Sequence, residues 1–499
     1  MNTFVNALSE TNEYKRTENG ATAHNSTHFA VYDMFAFGGA YRKRSDADIA
    51  NIFKKAYEED KELALKCLFY LRDCRGCGQG ERRFFRVAFR WLISHDEEQA
   101  YRLLDKISEY GRWDDLIYCA LDTELQDDMV TIIREQFALD LASKTPSLLG
   151  KWMPSENAAS PKTKRAAKIL RQALKLTSKE YRVALSSLRT KINIVEKLMS
   201  ENRWDEIEFD KIPSKAGLMY KNAFARRDII AKKYEAFAKS KDTKVNAKTL
   251  YPYEIVQNAI RIPTYSPLDN VDRLMVNKYW ENLPDYFNGK ECSMMCVVDT
   301  SGSMRGTPIN MAISLGLYCA ERLRGPFANR FITFSSRPQF IETTGVDFVA
   351  KVQNIYRMNI IENTNLLAVF ELLKNTALRN DVNPNDVPET IVVISDMEID
   401  QGTCQYYGRG SGRCWDKDTA STEMERVRKD WASAGLKMPK LVYWNVNARH
   451  DTILDLGPNV SCVSGSSPTT FESILTGKTG YSLMLDKLLS DRYASITAC

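Results

Sequence analysis

The sequence predicts a multidomain protein in which a stacked α-helical array precedes an α/β domain with a doubly wound parallel sheet. At 499 residues, the chain is longer than one hydrophobic core usually serves. Apolar residues recur at helical spacing through the first half, whereas short apolar runs alternate with amphipathic segments in the second. Prolines and polar residues separate the two patterns, so the predicted domains are residues 1–270 and 271–499.

The first half is predicted to consist of consecutive helices. Behind a cap at Ser45 or Asp46, residues 46–57 place apolar side chains at a period of 3.6, and residues 62–72 repeat the pattern. Further apolar stripes run through residues 82–93, 98–110, 125–143, 162–176, 179–199 and 216–238. Because no strand pattern interrupts these helices, this half predicts a HEAT-like repeat array.

The second half is predicted to alternate strands and helices. The predicted strands are the apolar runs 294–298, 330–334, 391–395, 441–446 and 461–463. Predicted helices at 308–323, 365–376, 422–434 and 471–489 separate most of them, as crossovers between parallel strands require. This half therefore predicts a Rossmann-like domain.

Oxygen-bearing side chains follow two of these strands. Asp299, Ser301 and Ser303 come directly after one strand, and Asp396 comes directly after another. In a doubly wound sheet, ligands bind beyond the carboxyl ends of the strands, near the switch point of strand order. Carboxylate and hydroxyl oxygens on such a loop fit Mg²⁺, although the same short polar residues also build ordinary turns.

These segments resemble the metal-ion-dependent adhesion site of the von Willebrand factor A domain, where an Asp-x-Ser-x-Ser loop is joined by a Thr and an Asp from later loops. By this resemblance Ser301, Ser303 and Thr364 would coordinate Mg²⁺, and Asp299 and Asp396 would hold it through water. The Thr364 loop lacks the paired glycines common in that family. Since the family's cation completes its shell with an acidic side chain of another protein, the resemblance implies a protein partner.

Segments from both halves also resemble, in order, the Ro autoantigen (TROVE) family and a related uncharacterised family that joins a similar helical region to an A domain. The closer match is to the uncharacterised family. The matching segments are residues 17–27, 71–82, 109–116, 212–224, 394–400, 442–446 and 463–465. Because Ro-family repeats form a ring that holds RNA, the resemblance implies an RNA-binding component of a ribonucleoprotein.

Positive charge is concentrated in one region of the chain. The formal net charge is +5, yet residues 144–248 contain 25 Lys and Arg against 11 Asp and Glu. Such clusters attract phosphates through charge and counterion release, and a solvated helix face is the alternative interpretation. The predicted nucleic-acid-binding residues are Lys162, Lys164, Arg165, Lys168, Arg171, Arg226, Arg227, Lys232 and Lys233.

Other features narrow the class of protein. No apolar run approaches the roughly 20 residues that cross a bilayer, and the polar amino terminus does not resemble a secretory signal, so we expect a cytoplasmic protein without membrane contact. Several of the 11 cysteines lie in apolar stretches, as reduced thiols do, while Cys74 and Cys77 have the spacing of a zinc or redox pair. Since there are 4 histidines and no phosphate-binding or nucleophile-elbow motif, we expect no enzymatic activity.

Three hypotheses for function follow from these patterns. In the first, the helical region binds RNA and the Mg²⁺ site binds an acidic group of a protein partner. In the second, the protein is an assembly adaptor whose basic helices contact only protein. The third is a metal-dependent nuclease. Residues 401–413, rich in Gly, Tyr and Arg, form either a base-stacking or partner-binding loop or an ordinary surface loop.

Overall fold

The structure is a computed structural model that describes residues 14–75, 77–334, 338–358, 365–399 and 423–499. Its strands are β1 (Tyr14–Arg16), β2 (Thr22–His24), β3 (Met294–Asp299), β4 (Arg330–Phe334), β5 (Gln339–Glu342), β6 (Thr390–Ser395), β7 (Lys440–Asn445) and β8 (Val460–Ser464). Its helices are α1 (Ala30–Gly38), α2 (Asp46–Glu59), α3 (Lys61–Arg72), α4 (Arg82–His95), α5 (Glu97–Arg102), α6 (Ile107–Tyr110), α7 (Trp113–Ala120), α8 (Gln126–Ala142), α9 (Leu149–Trp152), α10 (Pro161–Ala173), α11 (Ser178–Lys191), α12 (Val195–Ser200), α13 (Ser214–Arg226), α14 (Asp228–Lys239), α15 (Pro252–Arg261), α16 (Val271–Glu281), α17 (Thr307–Arg322), α18 (Phe348–Arg357), α19 (Leu366–Arg379), α20 (Glu423–Ser433), α21 (Thr470–Ile474) and α22 (Gly480–Leu488).

The chain forms two compact units, and neither is one continuous stretch. The sheet unit comprises Met1–Cys67, Leu250–Pro267 and Leu283–Ala494. The helical unit comprises Leu68–Thr249, Leu268–Asn282 and Ser495–Cys499. These units interleave along the chain and do not test a division into consecutive domains. The predicted domain division after residue 270 therefore stays a prediction.

The sheet unit is built on six strands in the order β5-β4-β3-β6-β7-β8. All neighbours are parallel except β5, which runs antiparallel to β4 at one edge. β3 is buried along its whole length, as its unbroken apolar run predicts for a parallel strand covered on both faces. The predicted α/β class and parallel sheet are therefore confirmed.

The strand order places the switch point of the sheet between β3 and β6. After β3 the chain moves outward to β4 and β5, and it then returns to the other side of β3 as β6. Crossovers from these two strands therefore leave in opposite directions, which opens a crevice at their carboxyl ends. Asp299, the last residue of β3, and Asp396, the first residue after β6, both lie at this crevice.

Helix α1 covers the edge strand β8. The N–H of Cys462 donates to the Tyr32 hydroxyl at 2.7 Å, and the Ser464 hydroxyl donates to the Phe35 carbonyl at 3.0 Å. The N–H of Gly39 in turn donates to Ser464 Oγ at 3.0 Å. These bonds engage polar groups at an edge that would otherwise be open to another strand. The amino-terminal segment is thus part of the sheet unit.

The β1–β2 hairpin contacts the segment that connects β7 to β8. β1 and β2 pair antiparallel, and His24 exchanges backbone hydrogen bonds with Ile453 at 2.7 and 3.2 Å. This hairpin precedes the predicted helices, which begin at residue 46, and its strands of three residues are too short to show a two-residue period in the sequence.

The described part of the helical unit contains helices and connecting turns only. Phe69, Phe85, Phe89 and Tyr110 form one aromatic cluster, with ring centroids 5.2 to 6.4 Å apart. The predicted helix-rich character of this region is confirmed. Among the described residues, no helix combines the length and apolarity that crossing a membrane would require.

Candidate functional site

Asp299 is fixed at the switch point by both neighbouring strands. Its Oδ1 accepts the N–H of Ser301 at 2.8 Å, which closes a short turn after β3. Its Oδ2 accepts the hydroxyl of Ser395, the last residue of β6, at 2.5 Å. The side chain has no exposed surface. The carboxylate therefore has one defined orientation.

Two hydroxyls and a second carboxylate complete the cluster. The Ser301 and Ser303 hydroxyl oxygens lie 3.0 Å apart, and Ser303 hydrogen-bonds Asp396. The Oδ1 of Asp396 also accepts the N–H of Glu398 at 3.3 Å. The structure thus brings together four of the five residues predicted to hold the metal. Thr364 and the segment 401–413 lie outside the described residues.

The pKa values of both carboxyl groups are raised above the ordinary value for aspartate. Burial and the negative charge of Asp396 raise the pKa of Asp299 to about 7. Burial also raises the pKa of Asp396, although the Arg449 guanidinium and the hydrogen bonds from Glu398 and Ser303 oppose this rise. Taking charged groups out of water is costly unless an opposite charge accompanies them. A divalent cation is the chemical species that this arrangement suits.

Arg449 is a charged member of the site that sequence analysis missed. Its Nη2 lies 3.2 Å from Asp396 Oδ2, and its Nη1 lies 2.5 Å from Glu18 Oε2. Arg449 follows β7, so it reaches the same carboxyl edge of the sheet as the predicted ligands. A charged residue shortly after a predicted parallel strand was the available signal.

Glu398 is a second residue that was missed, and it is a fully buried acid. Its Oε2 accepts the N–H of Glu18 at 2.6 Å, and its Oε1 lies 3.1 Å from His450 Nδ1 and 3.4 Å from Thr452 Oγ1. The side-chain amide of Asn19 also donates to the Glu398 carbonyl at 2.6 Å. The sequence around Glu398 does not indicate that it binds Glu18, which lies 380 positions away.

The predicted nucleic-acid-binding residues are mostly exposed, but several already have partners. Arg165 forms two hydrogen bonds with Asp122 at 2.6 and 3.1 Å, and Arg171 pairs with Glu156 at 2.8 Å. Further contacts join Lys162 to the Tyr118 ring, Arg227 to the Trp204 ring, and Lys233 to the carbonyls of Asp205 and Ile207.

Four of the predicted residues remain available for a ligand. Lys164, Lys168, Arg226 and Lys232 are exposed and have no ion-pair partner within the described ranges. The first two lie one turn apart on α10, where their ammonium groups share one helix face. Nucleic-acid binding by the nine residues stays a prediction.

Comparison with known proteins places the chain in a family. A family model described as "Domain of unknown function (DUF2828)" matches residues 17–116 and 121–288, more than half of the chain. The chain belongs to this family. An uncharacterized protein, L728, of Acanthamoeba polyphaga mimivirus is 30% identical over 488 residues, covering 89% of this chain and 81% of the relative.

A later part of this DUF2828 family member matches a second model. Residues 293–483, from β3 to the last helix, match "Domain of unknown function (DUF7788)". The two matches meet between residues 288 and 293, just before the strand that carries Asp299. The predicted likeness to an uncharacterised family is thereby confirmed, while the resemblances to the Ro family and the A domain stay predictions.

Proposed function

We propose that the protein is a binding protein whose sheet unit holds Mg²⁺ at the switch point and uses it to bind an acidic side chain of a protein partner. One observation carries this proposal: two buried carboxylates and two hydroxyls, from separate segments, meet where a doubly wound sheet binds ligands. The bound ion would supply positive charge that neutralises the carboxylates and attracts a further oxygen ligand.

The donor atoms fit magnesium in type and spacing. All four candidate ligands offer oxygen, which this hard cation prefers. The hydroxyls of Ser301 and Ser303 are 3.0 Å apart. Adjacent ligands of an octahedral ion with bonds of about 2.05 Å would be about 2.9 Å apart. Asp299, whose oxygens already accept two hydrogen bonds, suits a role through water, as the A-domain resemblance implies.

A binding role fits the surroundings of the two acids better than catalysis does. The groups that hydrogen-bond Asp299 and Asp396 are hydroxyls, backbone amides and the guanidinium of Arg449. None of these neighbours is an ordinary general base at neutral pH, and a bound cation would engage the two carboxylates themselves. Arg449 offsets one negative charge, and Glu18 holds the other end of its guanidinium away from the centre.

Calorimetric titration with MgCl₂ tests the metal site. We expect the wild-type protein to bind one ion, and Ser301→Ala/Ser303→Ala to lose that binding because two oxygen ligands are removed. Ser433→Ala, which removes an exposed hydroxyl on α20, is the matched control and should bind as the wild type does. Equal Mg²⁺ binding by both variants would refute the site. Partner capture should then require both Mg²⁺ and an acidic residue on the partner.

RNA binding by the helical unit is the second proposed function. It is supported by the exposed ammonium groups of Lys164 and Lys168 and by the predicted Ro-like ribonucleoprotein role. The alternative is an assembly adaptor in which these helices contact protein. Crosslinking in cells followed by sequencing of the recovered nucleic acid separates the two, because an adaptor would yield no RNA above background.

A further inference from the structure

The turn of the β1–β2 hairpin and the loops after β6 and β7 bring three metal-ligating side chains together. Ligand atoms of Glu18, Glu398 and His450 all lie within 4.8 Å of one another. We infer that these residues form a second metal site, which takes a zinc-type transition-metal ion and joins the hairpin to the sheet. The inference does not rest on the proposed Mg²⁺ site, because the two sites share no ligand.

The spacing of two ligand atoms already fits a tetrahedral ion. His450 Nδ1 and Glu398 Oε1 are 3.1 Å apart. Two ligands of a tetrahedral zinc ion, with bonds of about 2.0 to 2.1 Å, would be about 3.3 Å apart. Glu18 needs only a side-chain adjustment to join them, since its side chain is 47% exposed. Water would complete the coordination shell.

The deepest ligand is held rigidly in place. The Glu398 carboxylate is fully buried and accepts hydrogen bonds from the Glu18 amide at 2.6 Å and from Thr452 at 3.4 Å. His450 is 57% exposed on its side chain. The cluster is therefore fixed at its buried end by Glu398 and open to solvent at His450, where an ion can enter. Outer hydrogen bonds of this kind orient metal ligands and raise affinity.

The donor set favours zinc over magnesium. Zinc binds both imidazole nitrogen and carboxylate oxygen, whereas Mg²⁺ prefers oxygen ligands and retains several waters. Arg449 now pairs with Glu18 and also contacts Asp396. When Glu18 turns to the metal, the guanidinium keeps its second partner, so no cation is left without a counter-charge.

Calorimetric titration of the full-length protein with ZnCl₂ tests this site. We expect one tight site per chain in the wild type. His450→Ala should weaken it by more than the roughly 10–100-fold that loss of an outer-shell partner costs, since a ligand itself is removed. Glu18→Gln should also weaken it, and this substitution keeps the backbone N–H of Glu18 that donates to Glu398. Glu398 is not substituted in this test, because its burial makes a folding defect the expected result.

Three controls separate this site from other zinc binding. His95→Ala removes an exposed imidazole on α4, and Cys74→Ser/Cys77→Ser removes the thiol pair with zinc spacing. Asp299→Asn removes a carboxylate charge of the proposed Mg²⁺ site. All three variants should bind ZnCl₂ as the wild type does. The inference is overturned if His450→Ala binds Zn²⁺ unchanged, if the cysteine variant abolishes binding, or if the wild type binds none.

Discussion

The backbone N–H of Glu18 donates a hydrogen bond of 2.6 Å to the buried carboxylate of Glu398, 380 positions further along the chain. Thr17 and Asn19, on either side, donate to the carbonyls of Ile399 and Glu398, each at 2.6 Å. Three consecutive residues thus hold the segment that follows Asp396. The loop of the candidate metal site is shaped by the amino-terminal hairpin as well as by its own strand.

Glu398→Ala should destabilise the sheet unit. The substitution leaves the Glu18 amide and the buried Thr452 hydroxyl without their acceptor. An unsatisfied buried group costs about 1–3 kcal/mol, and more where a charge was involved. We expect the free energy of unfolding, measured by urea denaturation, to fall by at least that amount.

Glu342→Ala is the matched control for this substitution. Glu342 is an acid on β5 whose side chain is 58% exposed and pairs with Arg330. Exposed ion pairs contribute about 0–1 kcal/mol, so this variant should unfold almost as the wild type does. If the two variants lost equal stability, the hydrogen bonds between residues 17–19 and the segment after Asp396 would not contribute to the stability of the sheet unit.

The sheet and the two carboxylates of the site were predictable because they depend on local sequence patterns. Buried parallel strands are unbroken apolar runs, and Asp299 and Asp396 each follow such a run directly. Strand order then brings the two acids to one crevice. Both steps use residues that are close in sequence to the feature they predict.

The remaining members of the site depend on contacts that sequence position does not reveal. Arg449, Glu18 and His450 reach the loop after β6 from segments that are distant in sequence, and no spacing or period links those segments to that loop. The motif 109–116, in contrast, is distinctive in sequence but contributes to the stability of the helical unit. Its Asp115 is fully buried beside Arg72, so its distinctive sequence reflects an ion-pair network.

Gly39→Ala should disrupt the packing of α1 on β8. A Cβ at this position would lie 2.8 Å from the backbone carbon and oxygen of Ser464, and neither atom can rotate away. Such overpacking costs typically about 1–3 kcal/mol, which urea denaturation would detect. Gly302→Ala is the control, because its Cβ would meet no atom within 4 Å. Equal stability of the two variants would show that α1 adjusts its position freely.

Asp115→Asn should destabilise the helical unit and alter its response to acid. The Asp115 carboxylate accepts hydrogen bonds from Arg72 at 2.5 and 2.9 Å and from Arg86 at 2.7 Å. Removing its charge leaves the buried Arg72 guanidinium without full compensation. Loss of one partner of a buried ion pair costs about 3–5 kcal/mol. Asp210→Asn, at an exposed position, should change stability by less than about 0.5 kcal/mol.

The difference in the free energy of unfolding between the wild type and Asp115→Asn should depend on pH, because of the same ion pairs. Burial alone would raise the pKa of Asp115, but Arg72 and Arg86 outweigh burial and lower it. A lowered pKa means that the unfolded chain takes up the proton first as the pH falls. The stability advantage over Asp115→Asn is therefore complete above the unfolded pKa, about 3.9, and shrinks below it. A difference that stays constant down to strongly acidic pH would contradict this account.

Lys164→Glu/Lys168→Glu should weaken RNA binding and make it less sensitive to salt. Each lysine that contacts a phosphate releases counterions, so its loss lowers the slope of log K against log salt by about 1. We therefore expect the slope to fall by about 2, measured by fluorescence anisotropy with single-stranded and structured RNA. Lys429→Glu/Lys437→Glu, at exposed positions of the sheet unit, makes the same change in net charge. If both double variants lost affinity equally, general charge rather than the α10 face would account for binding; if the wild type bound no RNA at all, the adaptor hypothesis would take precedence.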